Sequence, residues 1–340
     1  MTIATLADLE EALSRPTDAD RRAMRDLGGD LLILGVGGKM GPSLARRARR
    51  AAREDGVDRR IVAVARFSSS GLRDELEGHG IETIAADLLA PGVLAGLPDA
   101  PNIIFMAARK FGSTGDESYT WAMNTFLPGL VAERYRRSRI VAFSSGNVYP
   151  LAPVASGGAT EETPVSPIGE YAMSALGRER MFDHFSRLHG TPGCLLRLNY
   201  AVEMRYGVLL DIGRKTFLRQ PIDLTMGYAN VIWQGDANSV CLRSFALCSS
   251  PPAVLNLTGP ETLRIRDVAA RFGEIFGVEP VFEGREADTA LLNNAARCHQ
   301  LFGPPQVSAA EVIEWTAQWI RAGGATLNKP THFEVRDGKF

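Results

Sequence analysis

LLILGVGGKMGPSLARRARRAARE (31–54) is the stretch on which the fold turns. LLILGVG (31–37) reads as a buried strand and PSLARRARRAARE (42–54) as a helix, and at their junction Gly35, Gly37, Gly38 and Gly41 fall in the order GVGGKMG. Glycine there permits a tight turn and close approach of backbone to a pyrophosphate, while the following helix offers unpaired N–H groups and the positive end of its dipole. Glycine clusters also mark ordinary turns, so it is the strand before and the helix after that make this a candidate dinucleotide loop, with Lys39 and Met40 inside it.

Outward from that loop the same alternation continues. IVAVAR (61–66), ETIAAD (82–87), NIIFMAA (102–108), RIVAFSS (139–145) and CLLRLN (194–199) read as strands, with helices over 119–137 and 167–189 between the later ones. This predicts an α/β fold, a doubly wound parallel sheet of Rossmann type. Residues 3–27 read as one or two short helices broken at Pro16, with Thr17 or Asp18 as a cap, packing on the outside. After Asn199 the pattern weakens into loops and short elements until VLNLTG (254–259), a helix over 265–276 and an amphipathic helix over 307–323, and the tail THFEVRDGKF (331–340) reads as simply polar. The expected organisation is a helical extension over 1–29, a dinucleotide-binding domain over 30–200 to which 231–260 returns, and a smaller C-terminal substrate-binding lobe made of 201–230 and 261–340.

With 38 basic and 39 acidic residues in 340, no global field favours nucleic acid or a membrane surface, so any anion site must be local. Cys194, Cys241, Cys248 and Cys298 form no C-x-x-C pair and the five histidines make no ligand pattern, so no metal site is expected. The acidic start of the chain does not suit a signal peptide, and no stretch approaches the roughly 20 apolar residues of a membrane span. These features predict a soluble cytoplasmic protein with a small-molecule substrate. Arg46, Arg47, Arg49, Arg50 and Arg53 read as the exposed face of their helix, and Trp233, Trp315 and Trp319 as packing. His184, His189, Cys298 and His299 read as surface or satisfied core residues.

Which nicotinamide cofactor the loop takes is read at the end of the second strand, where an acidic residue would bond the ribose 2′-hydroxyl of NAD. Arg66 stands there, followed by Phe67 and three serines, Ser68 to Ser70. A guanidinium and hydroxyls suit a 2′-phosphate, which favours NADP, whereas an arginine stacked on adenine would serve NAD equally.

Gly35, Gly38 and Gly41 in GxxGxxG spacing, Asp87-Leu88, Ala107-Ala108, Asn124, SSGNVY (144–149), RLNY (197–200) and VLNLTGPETLRIRDVA (254–269) fall in an order that resembles the extended short-chain dehydrogenase/reductase family, with its NAD-dependent epimerases and dehydratases. The resemblance spans roughly residues 30–280. It implies that Asp87 and Leu88 contact adenine, that Ala107 and Ala108 lie under the cofactor, and that Asn124 stands behind the active site. It implies further that Ser145 holds a reacting oxygen while Tyr171 acts as acid/base for a hydroxyl–carbonyl interconversion. Tyr149 reads as packing in its turn. Asn147, Asn199, Glu203, Arg205 and Lys110 are candidate substrate contacts, and many relatives dimerise through the two helices over 119–137 and 167–189.

Three departures stand out. The lysine four residues after the tyrosine is Ala175, so the cation that would help a phenol of pKa about 10 work near neutrality must come from elsewhere, with Arg178 and Lys110 the candidates. The Asp-Glu pair of the family's dehydratases is Gly146-Asn147, which disfavours dehydration. Pro150 replaces a glycine in the loop after VY. Two functions remain open: an NAD(P)-dependent oxidoreductase or epimerase acting on a small polar, possibly sugar-like, substrate, or a dinucleotide sensor or carrier that has lost turnover.

Overall fold

Strand pairing is parallel throughout one seven-stranded sheet. In chain order the strands are β1 (Leu31–Leu34), β2 (Ile61–Ala65), β3 (Glu82–Ala85), β4 (Asn102–Phe105), β5 (Arg139–Ser145), β6 (Gly193–Leu198) and β7 (Ala253–Leu257), and in space they run β7-β6-β5-β4-β1-β2-β3. This is the Rossmann-type doubly wound arrangement, seen in a computed structural model that describes residues 3–110, 112, 114–329 and 331–339. Chain order reverses direction between β1 and β4, and such a switch opens a crevice at the carboxyl ends of the strands.

Period-two alternation divides the strand residues between two buried faces. Leu31, Ile33, Ile61, Ala63, Ile104, Val141 and Leu196 join one core, and Leu32, Leu34, Val62, Val64, Ile103, Phe105 and Ala142 join the other. Several strands end earlier than their apolar runs. Residues 35–37, 86–87 and 106–108 are loop at the carboxyl edge, where the chain leaves the sheet to build a site.

The N-terminal segment does more than pack on the outside. It forms α1 (Leu6–Ser14) and α2 (Asp18–Asp26), the second capped by Thr17, and both lie against α3 (Gly41–Glu54), which follows the glycine loop. Met24 and Leu27 enter the sheet's core, while Ile3, Leu9 and Leu13 enter a second core. Their acids take up the α3 arginines. Arg47 is buried on Asp20, Arg46 bonds Glu10 and Glu75, and Arg50 bonds Glu11, so much of that basic face is covered rather than exposed.

After β6 the chain is also more regular than its sequence pattern predicts. Val208–Phe217 and Gln234–Arg243 are helices, and the second is buried along most of its length, so no polar stripe betrays it. Trp233 and Trp315 pack edge to face at 5.7 Å, and the Trp319 indole donates to the Ala325 carbonyl. Among the described residues no helix is long and apolar enough to cross a membrane.

Candidate active site

The glycine loop divides its glycines by task. Gly35 has φ +93°, and a Cβ there would lie 2.4 Å from the Ala107 nitrogen; one on Gly41 would lie 2.1 Å from the Val36 carbonyl oxygen. These two let the loop fold against β4 and turn into α3. A Cβ on Gly38 would meet nothing closer than the Gly35 carbonyl oxygen at 3.9 Å, so its missing side chain leaves room on the open side of the loop. The amides of Gly37, Lys39 and Met40 donate to no backbone carbonyl among the described residues. Free donors around an open approach fit a pyrophosphate.

Behind the loop, Ser43 Oγ accepts from Gln234 and Asn238, which props the first turn of α3 against a helix from beyond β6. At the neighbouring strand ends Arg66 is exposed beside Phe67, whose φ is +49°. Asp87 is exposed and accepts from the Leu89 amide, Leu88 is buried, and Ala107 and Ala108 follow β4 beside the loop.

Ser145 closes β5. Its Oγ accepts from the backbone N–H of Asn147 at 3.2 Å and from the Asn147 side-chain amide at 3.0 Å, which aims the hydroxyl proton elsewhere. The helix Gly169–His189 is docked along this end of the strand. Arg178 donates to the Phe143 carbonyl at 2.7 Å, and Ser144 donates to Glu179. Glu179 holds Arg197 through two bonds, Arg197 donates to the Tyr149 hydroxyl at 2.6 Å, and that hydroxyl donates to Asn256. Tyr149 is therefore a buried structural group, and burial pushes its phenol up. A Cβ on Gly146 would lie 2.8 Å from the Asn293 side-chain amide, so an acid cannot occupy that position without displacing Asn293.

Asn124 lies in a π-helical turn, Ala122–Phe126, and is fully buried. Its amide bonds both the N–H and the C=O of Arg109 at 2.8 Å, accepts from Arg178 at 2.9 Å, and donates to Ser174 at 2.9 Å. Its amide group is thus fully engaged within the protein. It clamps the segment after β4 to the Tyr171 helix. On that segment Lys110 places its ammonium 5.8 Å from the centroid of the Tyr171 ring. Ala175 is sealed in an apolar cluster with Val148, Tyr149 and Ala159.

Of the proposed substrate contacts, Asn199 is buried and donates to Asn230 and to the Leu291 carbonyl, so it ties loops together. Glu203 is buried on Arg205, which also bonds Glu10 at 2.6 Å, so the pair joins a network that reaches α1. Asn147 and Lys110 remain at the site. Tyr206, which sequence reasoning passed over, also appears here. The Lys39 ammonium sits 3.4 Å over the Tyr206 ring, and loss of solvent around it, with Lys110 repelling it, pushes it down to about 7. Tyr200 and Tyr206 lie within electrostatic reach of Tyr171, and burial raises both phenols. The tail is not simply polar. Phe333 is buried in the second core, Arg336 bonds the carbonyls of Thr225 and Thr289, and Glu334 lies within electrostatic reach of Lys110. A cavity of about 370 Å³ lies beside it, lined by Arg205, Asp211, Arg214, Lys215, Lys329 and Glu334 among others.

The sequence profile of the NAD dependent epimerase/dehydratase family matches residues 31–202, half of the chain, and the chain belongs to that family. Solved structures with the same fold include a UDP-glucose 4-epimerase with UDP-glucose from Thermotoga maritima, at 15% identity and a TM-score of 0.69, covering 86% of this chain and 99% of that one. A UDP-glucuronic acid 4-epimerase from Bacillus cereus, in complex with UDP-glucuronic acid and NAD, has 16% identity, a TM-score of 0.71 and coverage of 86% and 99%. A double mutant of a dTDP-glucose 4,6-dehydratase from Streptomyces venezuelae with NAD bound has 18% identity, a TM-score of 0.71 and coverage of 86% and 96%. At such identities these structures speak to the fold alone. No curated protein matches the sequence.

Proposed function

We propose that this chain is an NAD(P)-dependent oxidoreductase or epimerase acting at a hydroxyl or carbonyl of a small polar, sugar-like substrate, with Tyr171 as acid/base and Ser145 bonding the reacting oxygen. The observation that carries this reading is the docking of the Tyr171 helix on the Ser144–Ser145 end of β5, through Arg178 to Phe143 and Ser144 to Glu179. A dinucleotide held by the loop amides of Gly37, Lys39 and Met40 supplies a hydride acceptor or donor. In the oxidising direction Tyr171 takes the hydroxyl proton as hydride leaves the same carbon, and in the reducing direction it returns the proton to the carbonyl oxygen. Gly146 in place of an acid disfavours water elimination. Arg66 favours a 2′-phosphate and hence NADP.

Residues 30–200 with 231–260 form the cofactor-binding part in this reading, and 201–230 with 261–340 the substrate lobe. The copies pair through exposed apolar side chains on the two helical stretches, Phe126 and Leu130 on one, Met173 and Leu188 on the other. Sedimentation should report a dimer that Phe126→Glu dissociates. The second reading, a dinucleotide binder without turnover, draws on Ala175, whose burial leaves no room for a lysine in the present packing. Mass spectrometry of nucleotide released from purified protein, followed by NADP(H) and NAD(H) titrations and a carbonyl panel, separates the readings. Retained nucleotide with no hydride transfer favours the binder, and no nucleotide binding overturns both.

A further inference from the structure

We infer that the C-terminal segment 327–338 is a strap across the mouth of the Tyr171 cleft, fastened on the side of the second core and resting by its far end on the start of the Tyr171 helix, and that substrate enters when this far end lifts. The inference rests on the reading that Tyr171 marks the substrate site. The near part of the segment is tied by side chains. The Leu327 amide donates to the Arg205 carbonyl at 3.0 Å, and the amide and hydroxyl of Thr331 both donate to Asp211, on the helix Val208–Phe217, at 2.8 and 2.6 Å. Phe333 lies in the second core, and Arg336 donates to the carbonyls of Thr225 and Thr289 and to the Thr289 hydroxyl.

Beyond Arg336 the grip changes. Gly338 packs backbone to backbone on the first residue of the helix Gly169–His189, two residues before Tyr171. A Cβ on Gly169 would lie 2.5 Å from the Gly338 carbonyl oxygen, and one on Gly338 would run into the Ile168 carbonyl. Among the described residues no hydrogen bond crosses this contact, and Asp337 and Lys339 on either side of Gly338 pair with each other in solvent. A segment held by buried side chains at one end and by packing alone at the other opens from the weak end.

Between its ends the segment passes the site. His332, at φ +52°, starts a turn that the Val335 amide closes on the His332 carbonyl at 3.2 Å, and the turn buries Phe333 while Glu334 lines the cavity beside Arg205 and Asp211. Glu334 lies within electrostatic reach of Lys110 and Tyr200, Tyr200 within reach of Tyr171, and Lys329 within reach of Lys39 in the glycine loop. The strap thus runs from the glycine loop, past the loop after β4, to the Tyr171 helix. With it in place Tyr171 is 8% exposed, and a closure of this kind keeps water from a reacting carbon.

Two variants free the far end and leave the fastenings alone: Gly338→Val, whose side chain cannot fit against Ile168 and Gly169, and a chain stopped after Asp337. Each is compared with the parent by hydroxyl-radical footprinting, with the oxidation of every tyrosine read by mass spectrometry. Tyr135 and Tyr149, buried elsewhere in the interior, report on the fold itself. In both variants oxidation of Tyr171 and Tyr200 should rise at least about threefold as the open fraction grows, with Tyr135 and Tyr149 as in the parent. Tyr171 and Tyr200 oxidised at the parental rate in either variant, or gaining no more than Tyr135 and Tyr149, overturns the inference. The footprint needs neither cofactor nor substrate, so its outcome is separate from nucleotide binding, whose absence counts against the proposed function instead.

Discussion

Arg47 on α3 donates from Nε to the Asp20 carboxylate on α2 across 2.8 Å, and the two side chains are 4% and 0% exposed. The second carboxylate oxygen of Asp20 accepts from Ser239 at 2.6 Å, so one acid joins the N-terminal extension, the helix after the glycine loop and a helix from beyond β6. Removing one partner from a buried pair strands the other charge, at a cost of about 3–5 kcal/mol. Asp20→Ala should lower stability by that order in urea unfolding. An exposed arginine face would instead leave the midpoint unmoved.

The two kinds of glycine in the loop should separate experimentally. Gly35→Ala forces a left-handed conformation and a clash with the Ala107 backbone, so it should destabilise the fold by about 1–3 kcal/mol. Gly38→Ala has space for its methyl and should melt like the parent while losing nucleotide affinity at least about tenfold, because the methyl enters the phosphate approach. Calorimetry with fluorescence titration of both variants checks the contrast.

Ser145→Ala and Tyr171→Phe should each reduce turnover by about 10²–10⁴-fold, the usual range for a positioned acid/base and its partner. Nucleotide affinity should change little for Ser145→Ala. Equal turnover in the parent and Tyr171→Phe, once a substrate is in hand, would remove Tyr171 from the chemistry.

If Arg66 reads a 2′-phosphate, Arg66→Ala should weaken NADP by about tenfold or more and leave NAD within a factor of a few, since the lost contact is charge-assisted. Equal weakening of both cofactors would place Arg66 on the adenine face.

Asp236 accepts from the Val307 amide at 3.1 Å, and burial, opposed by that bond and by Arg47, pushes its carboxyl from 3.8 to about 6. Its folded pKa lies above its unfolded one, so its contribution to stability is full below about pH 4 and is lost as pH rises through about 6. Asp236→Asn should therefore gain on the parent with rising pH, by at most about 3 kcal/mol at pH 7.5, with the difference fading toward pH 4. Urea titrations at both pH values measure it.

The cofactor half was readable because its signals are local. A buried strand, a glycine loop and a helix lie within 31–54, and Thr17 caps α2 through the Asp20 amide three residues on. The same locality misled where a partner lies far along the chain. The α3 arginines look solvated until Glu10, Glu11 and Asp20 arrive from upstream, and the bond from Arg205 to Glu10 is equally out of view of any local pattern. Gln234–Arg243 escaped because burial on nearly every side erases the periodicity that marks a surface helix. Phe333, apolar between His332 and Glu334, was a local sign that the tail packs into the second core. Asn124 was found by resemblance, but its saturated amide could be known only from its four partners.

The second core takes Ile3, Leu9 and Leu13 from the start of the chain and Trp319 and Phe333 from near its end. During synthesis the first five strands can pair as they emerge, each beside a strand already made, and they need nothing from downstream. The opening helix is placed otherwise: it lies against α3, yet Leu9 and Leu13 share their core with residues as far along the chain as Phe333. That core is therefore closed by stretches from both ends of the sequence, and it can be completed only after the sheet's first five strands have been made.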